Sequence, residues 1–570
     1  MRRVGQILAL CSCLCVPLES VRAGGGQPGH AAASKRAGKG DKGREPTPQA
    51  PAIPPVNIPA EELRQHAHAL SALRQQPGLS EAERSQRTRQ YIAEQLNETG
   101  LLPGGDGQHG IAGLSQSVSL LRVRSQLRGA PQFRSTATTI PVRITVAPRE
   151  VVLFSGAPKA EIALQDSELV FVGYGITAPD RAWDDYKGID VRGKVVLLLD
   201  GTPAETSAGG GRTWAAGRWT QKFADALRRG AVGVLVIHDS QRAAEPLDRL
   251  RSYFGGERLL MATAADVPAL QIGGYVSDEA ARRLLLAAGL DLEKQQQAAQ
   301  SRDFTPAALR VRMSAQLQNQ VQPFESANLI GILPGTDETA RNEAVVLSTH
   351  IDHLPGAFDA EQPDTLRPLP GVRDHVVGAA GLLAMARATR QLPPPRRSLI
   401  FAFLTGHGES FAGAQRLLKR LPLPVERVVA NIHIDGLNVG DSRPELLQIG
   451  RGKSSFDELV DRLASSQKRY VVADSRPERG LLYRSDSFVF AKAGIPVLFV
   501  MPVDVDGYLA ADYLRPSDTF RESWSFAGGA QDCALLYQAA LLVASARTPP
   551  QVLAGDEFAP RASAGSAAGK

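Results

Sequence analysis

The chain has 570 residues, 43% of them apolar and 22% charged, a composition that excludes a fibre or a disordered acidic tail and leaves room for more than one core. Its net charge of +6 is concentrated at the start: residues 1–23 carry +2 and residues 24–58 carry +3, leaving +1 for the rest. A near-neutral body gives no reason to expect nucleic acid as a partner.

Arg2 and Arg3, the apolar run from Ile7 to Leu18, and Val21-Arg22-Ala23 have the three regions of a secretory signal, so residues 1–23 are expected to direct export to the periplasm or outside the cell. Cys11, Cys13 and Cys15 fall inside this segment, where a lipid-modified cysteine is the lesser alternative; only Cys533 remains, in an apolar helical pattern typical of a small core residue. No later run reaches the roughly 18 apolar residues of a membrane span. Residues 24–58, rich in Gly, Ala, Pro and Lys without periodicity, read as a flexible linker.

Residues 59–138 are expected to be the N-terminal helical part of the last domain. Ser80-Glu81-Ala82-Glu83 is a capping box that predicts a helix to about Leu96, stopping near Gly100, with Tyr91, Ile92 and Leu96 on its apolar face. From 139 to 320 the pattern becomes short β-rich runs, Ile140 to Val146, Glu168 to Val172, Lys194 to Leu199 and Val232 to Ile237, which predict a separate β-rich module. His238, directly after the last of these, is expected at the surface or in a turn. Residues 321–546 alternate strands (Ala344 to Thr349, Ser398 to Leu404, Val428 to Ile434, Pro496 to Met501) with helical patterns (Gly378 to Arg390, Gln415 to Leu421), the signature of an α/β sheet with helices on both faces. Residues 547–570 are a low-complexity tail.

In such a sheet, ligands bind beyond the carboxyl ends of the strands. Four of these ends are polar here: His350-Ile351-Asp352-His353, Thr405-Gly406-His407-Gly408-Glu409, Asp435, and the segment Asp504 to Asp518; Arg373-Asp374-His375 opens the helix after the first. An imidazole with two carboxylates and an open position is a catalytic type of zinc site. His350, Asp374 and Asp435 are the candidate ligands, expected within a few ångströms of one point, with the Asp352 carboxylate accepting the second ring proton of His350.

These phrases, over roughly residues 60 to 545, resemble the aminopeptidase branch of the co-catalytic zinc exopeptidases, a group that includes glutamate carboxypeptidase and the transferrin receptor. Val346 to Leu354 is similar to the strand with the first ligand, Gly371-Val372-Arg373-Asp374 to the loop of the metal-bridging aspartate, and Asn431 to Gly436 to the strand of a further ligand. Val170 to Ile176, Asp184-Asp185-Tyr186, Gly193 to Val196 and Gly217 to Thr220 resemble the inserted protease-associated domain. The resemblance implies an α/β fold with a zinc-exopeptidase-type mixed sheet flanked by helices, a protease-associated domain over 139–320 that supplies no metal ligand, and a peptide or protein substrate.

The chain departs from the family where the second metal would sit. The family's two adjacent glutamates, a general base and a ligand, correspond to His407 and Gly408, with Glu409 one position later. The family's last histidine ligand corresponds to Leu514, and Ser485-Asp486-Ser487 stands where relatives often end in histidine. His433 is the most C-terminal of the ten histidines, so no imidazole comes from the last strand region. One zinc rather than two is therefore expected, on His350, Asp374 and Asp435, with His407 or Glu409 as the base of a peptidase that cleaves N-terminal peptide bonds. Losing the glutamate base removes a contribution of roughly 10²- to 10⁴-fold. The alternative is a catalytically inactive pseudopeptidase that keeps the fold as a binding protein.

Overall fold

The computed structural model describes residues 55–559, apart from 138, 204–214, 242, 244, 263–268, 354–355, 359–365 and 409. The expected signal segment, residues 24–54 of the linker, residues 560–570 of the C-terminal tail and Glu409 lie outside the described residues.

Two helices lead in, α1 (Ala60–Gln75) and α2 (Glu81–Thr99). The α2 capping box is complete: the Ser80 hydroxyl accepts from the Glu83 N–H at 3.3 Å, the Ser80 N–H donates to the Glu83 carboxylate at 2.7 Å, and Gly100 ends the helix at φ 80°. The chain then turns to strand within the segment expected to be helical, as β1 (Ser115–Leu127).

Next come β2 (Glu161–Phe171), β3 (Val195–Leu199), helix α3 (Trp219–Arg228), β4 (Gly233–His238), β5 (Ile272–Ser277) and helix α4 (Asp278–Leu286). Strands β2 to β5 pair in parallel in that order. The continuous burial of β3, β4 and the Leu169–Phe171 end of β2 fits parallel strands covered on both faces, so the block expected to be β-rich has an α/β centre with its own two cores.

The boundary expected at 320 falls inside a 27-residue strand, β6 (Ala307–Leu333), whose first part pairs with β2, middle with β1, and last part with the sheet that follows. Leu309, Val311, Met313, Ala315 and Leu317 alternate inward along it, the period-2 pattern that fixes its register.

The last part contains β7 (Ala344–His350), α5 (Val377–Ala388), β8 (Ser398–Leu404), α6 (Ala412–Lys419), β9 (Val428–Ile434), β10 (Glu445–Ile449), β11 (Val497–Met501) and α7 (Ala527–Ser545). Neighbours run β6, β8, β7, β9, β11, β10, antiparallel at β6–β8 and β11–β10 and parallel between. The fold is a mixed α/β sheet flanked by helices. Val345 and Leu347 face a core shared with α1, α2, α5 and α7, while Ala344 and Val346 face one shared with α6. Each such fully buried valine or leucine stabilises by about 1.5–3 kcal/mol. After β7 the chain steps to β8 on one side and later to β9 on the other. Such a reversal opens a crevice at the strand ends. Among the described residues, no helix is long and apolar enough to cross a membrane.

Candidate metal centre

His350 ends β7 and is 1% exposed. Its Nδ1–H donates to the Asp352 backbone carbonyl at 2.9 Å, which leaves the Nε2 lone pair facing the crevice. Asp435, just past β9, lies 3.5 Å from that nitrogen. Asp374 sits in a π-helical turn over Val372–Val376 that leads into α5, a wider-wound irregularity of the kind often found at functional sites. A cavity of about 40 Å³ is lined by His350, Asp374 and Asp435 together with His407. The three residues expected to meet are thus brought to one edge of the sheet.

Asp352 differs from the expectation. Its backbone carbonyl, not its carboxylate, accepts from His350; the carboxylate instead accepts from the Thr405 hydroxyl, the Gly406 N–H at 2.8 Å and the His407 N–H at 3.3 Å. The reason is local: β8 ends at Leu404, and the N–H groups beyond it have no ladder partner, so a buried carboxylate opposite them is their acceptor.

His407 stacks on His350 with ring centroids 3.8 Å apart, and its Nδ1 shares a 2.6 Å hydrogen bond with the fully buried Asp486. Burial, reinforced by the neighbouring imidazole charge, lowers His350 to about 4 and His407 to about 3, so both rings are neutral at pH 7. Burial pushes Asp486 up to about 6.

Three further histidines complete the centre, and sequence reading gave none of them a role. His353 donates from Nδ1 to Asp374 at 2.6 Å. His375 approaches the same Asp374 oxygen at 3.4 Å through Nδ1, while its Nε2 is buried without a hydrogen-bond partner. His433 donates to Asp435 at 2.6 Å and shares a 2.9 Å hydrogen bond with Ser348. Burial pushes Asp374 and Asp435 upward, but the charge and hydrogen bond of His353 and His433 respectively outweigh it; Asp374 lies well below the usual carboxylate range. Burial lowers His433, yet the Asp435 charge and hydrogen bond leave it raised. Only His433 carried a readable signal, since two residues along a strand put it on the same face as Asp435.

The donor set fits zinc. Ligand atoms on a tetrahedral ion with bonds of about 2.0–2.1 Å stand about 3.3–3.4 Å apart, close to the 3.5 Å between His350 Nε2 and Asp435. His350 and Asp435 also hold the hydrogen bonds typical of ligand residues, imidazole to backbone carbonyl and carboxylate to imidazole. Among the described residues, the group of three donors whose ligand atoms all lie within 4.8 Å of one another is His350, Asp374 and His375; Asp435 comes within that range of His350 but not of Asp374 as well.

The positions that depart from the family border this centre. Gly408 has φ 126°, and a Cβ there would stand 3.7 Å from the Tyr253 hydroxyl, an ordinary contact. Leu514, at φ 56°, packs with Tyr253 against Leu369. A larger cavity of about 540 Å³ lies between the two halves of the fold, with His353, His407, Gly408, Tyr513 and Leu514 on one side and Arg249, Leu250 and Tyr253 on the other. His238 is buried on its wall, contrary to expectation, with Nε2 donating to the Glu245 carbonyl at 2.8 Å.

Among solved structures, the chain is similar to an aminopeptidase from Aneurinibacillus sp. strain AM-1, with 17% identity, coverage of 86% of this chain and 94% of that one, and a TM-score of 0.48. It is similar to a zinc aminopeptidase from Bacillus subtilis (16%, 85% and 95%, 0.42) and a Peptidase M28 precursor from Shewanella amazonensis SB2B (18%, 87% and 98%, 0.43). No curated protein matches the sequence closely enough to count as a relative. Residues 328–538, which carry every donor of the centre, match the model of Peptidase family M28.

Proposed function

We propose that the protein is an exported zinc metallopeptidase of the aminopeptidase type, working with a depleted site that holds one ion on His350, Asp374 and Asp435. The observation that carries this reading is the His350 tautomer: with Nδ1–H bound to the Asp352 carbonyl, Nε2 turns an electron pair toward Asp435 at 3.5 Å and toward Asp374 in the same cavity. Zinc supplies Lewis acidity and lowers the pKa of water bound to it toward about 7.

The protein's own groups do the rest. Asp486 holds His407 by Nδ1, so Nε2 is the nitrogen left to take a proton. Asp352 fixes the backbone of His407 through its N–H. The cavity of about 540 Å³ that opens on His353 and His407 is of the size that takes a small peptide or an aminoacyl group.

The second reading, a pseudopeptidase that binds peptide without cleaving it, is favoured by one observation: Leu514 fills its place with an apolar contact. A panel of aminoacyl reporters, assayed before and after chelation and zinc return, separates the two. Slow, zinc-dependent cleavage, below the enzyme median of about 10 per second, is the expected result. No cleavage of any reporter would leave only the binding reading. Export is tested by N-terminal sequencing of the mature chain, which should begin near residue 24.

A further inference from the structure

We propose that His375 is a second imidazole ligand of the ion held at His350 and Asp374. The proposal rests on the reading that this centre takes zinc, and it adds a ligand that the sequence comparison with relatives does not supply. Three observations converge on it.

The first is proximity. A ring nitrogen of His375, one of His350 and a carboxylate oxygen of Asp374 lie within 4.8 Å of one another. Small rotations close that spacing to the roughly 3.3–3.4 Å edge of a tetrahedral site.

The second is an unmet electron pair. The Asp374 oxygen 3.4 Å from Nδ1 orients the ring, while Nε2 is buried with no hydrogen-bond partner. A buried polar atom without a partner is costly, and each such case calls for a reason. A cation at this position supplies one.

The third is the way the loop is built around the ring. Gly371 adopts φ 62°, and a Cβ there would stand 2.3 Å from His375 Cε1, so only glycine admits the imidazole. The π-helical turn over Val372–Val376 starts at this glycine and holds Asp374 and His375, consecutive residues, on the same side. A small cavity of about 10 Å³ borders His353, Asp374, His375 and Leu514, about the volume of one water-sized sphere. With two imidazoles and carboxylate oxygen, the centre favours zinc, cobalt, nickel or copper over magnesium, calcium or manganese.

X-ray absorption spectroscopy of the zinc-loaded full-length protein counts imidazoles at the metal. The proposal expects two in the unmodified protein and one in His375→Ala, with zinc affinity weakened about 10- to 100-fold or more in competition with a chelator. One imidazole in the unmodified protein overturns it, as does an unchanged count and affinity in His375→Ala, which would make His375 a packing residue only. Should His375→Ala fail to fold, the count in the unmodified protein decides alone. If the unmodified protein takes up no zinc, the reading of a zinc centre falls, and this proposal with it.

Discussion

Asp352 shows how a residue two places from a ligand takes a different task from the one its spacing suggests. Its carboxylate closes the end of β8 by accepting from Thr405, Gly406 and His407, so Asp352→Ala leaves buried donors unsatisfied at about 1–3 kcal/mol each. The expected result is a stability loss of roughly 2–4 kcal/mol by denaturant melting, with zinc affinity changed less than in His433→Ala, where the bond to Asp435 is lost. Equal effects on zinc in the two variants would return Asp352 to the ligand-orienting role. The departures from the family also differ in how readily they can be reversed. Gly408 at φ 126° sits in a region that side chains rarely adopt, so Gly408→Glu is strained. Leu514 at φ 56° is a bulky residue in left-handed backbone, where histidine is better tolerated. Leu514→His, in the cavity it shares with His353 and Asp374, should therefore raise bound zinc above the unmodified level, and an unchanged zinc content would show that Gly408 alone blocks the second position.

At the scale of elements, the strands of the last part were legible because their apolar runs are uninterrupted: β8 and β9 fall on the expected residues and β7 extends by one, to His350. His350 and Asp435 stand at the ends of two of these strands, while Asp374 opens the helix after the first. What was not legible depends on geometry without a sequence period. The π-helical turn brings Asp374 and His375 together, and the loop before the helix Ser487–Lys492 sets Asp486 against His407. The expected module at 139–320 hid its helices behind its strands: α3 buries Lys222, whose ammonium donates to the Leu199 and Gly201 carbonyls at 2.7 Å each. Burial lowers Lys222 to about 8, against the opposing pull of Asp200. A pKa lower in the folded than in the unfolded chain means that the unfolded chain binds more protons above pH 8. Stability therefore rises with pH from about 8 toward the ordinary lysine value, by on the order of 3 kcal/mol. The stability difference between the unmodified protein and Lys222→Met, measured across this range, should shift in favour of the unmodified protein as pH rises. A flat difference would mean that Lys222 titrates as an exposed lysine.

At the scale of the whole molecule, the two halves meet over the large cavity, and a cross-linked set of charges holds that contact. Glu245 pairs with Arg249 at 2.7 Å and with Arg484 at 3.5 Å, while Arg249 also donates to the Leu509 and Ala510 carbonyls. Glu245 and Arg249 are nearly buried, so Glu245→Ala strands a charge at a cost of about 3–5 kcal/mol. The expected signs are a lower melting temperature and faster proteolysis between the halves, and an unchanged melting temperature would show the contact to rest on apolar packing alone. The same joint puts Tyr253 of one half across from His353 of the other, with ring centroids 6.4 Å apart, so the metal centre opens onto the space between the halves.

On the proposed reading, the sheet edge at His350, Asp374 and Asp435 holds a single ion, because Gly408 and Leu514 offer no donors to a second. Zinc per chain, measured by elemental analysis of the purified protein after equilibration with a small excess of zinc, tests it most directly. The expected content is about one ion per chain, lost in His350→Ala. Two ions per chain, or the same content after His350→Ala, would contradict it.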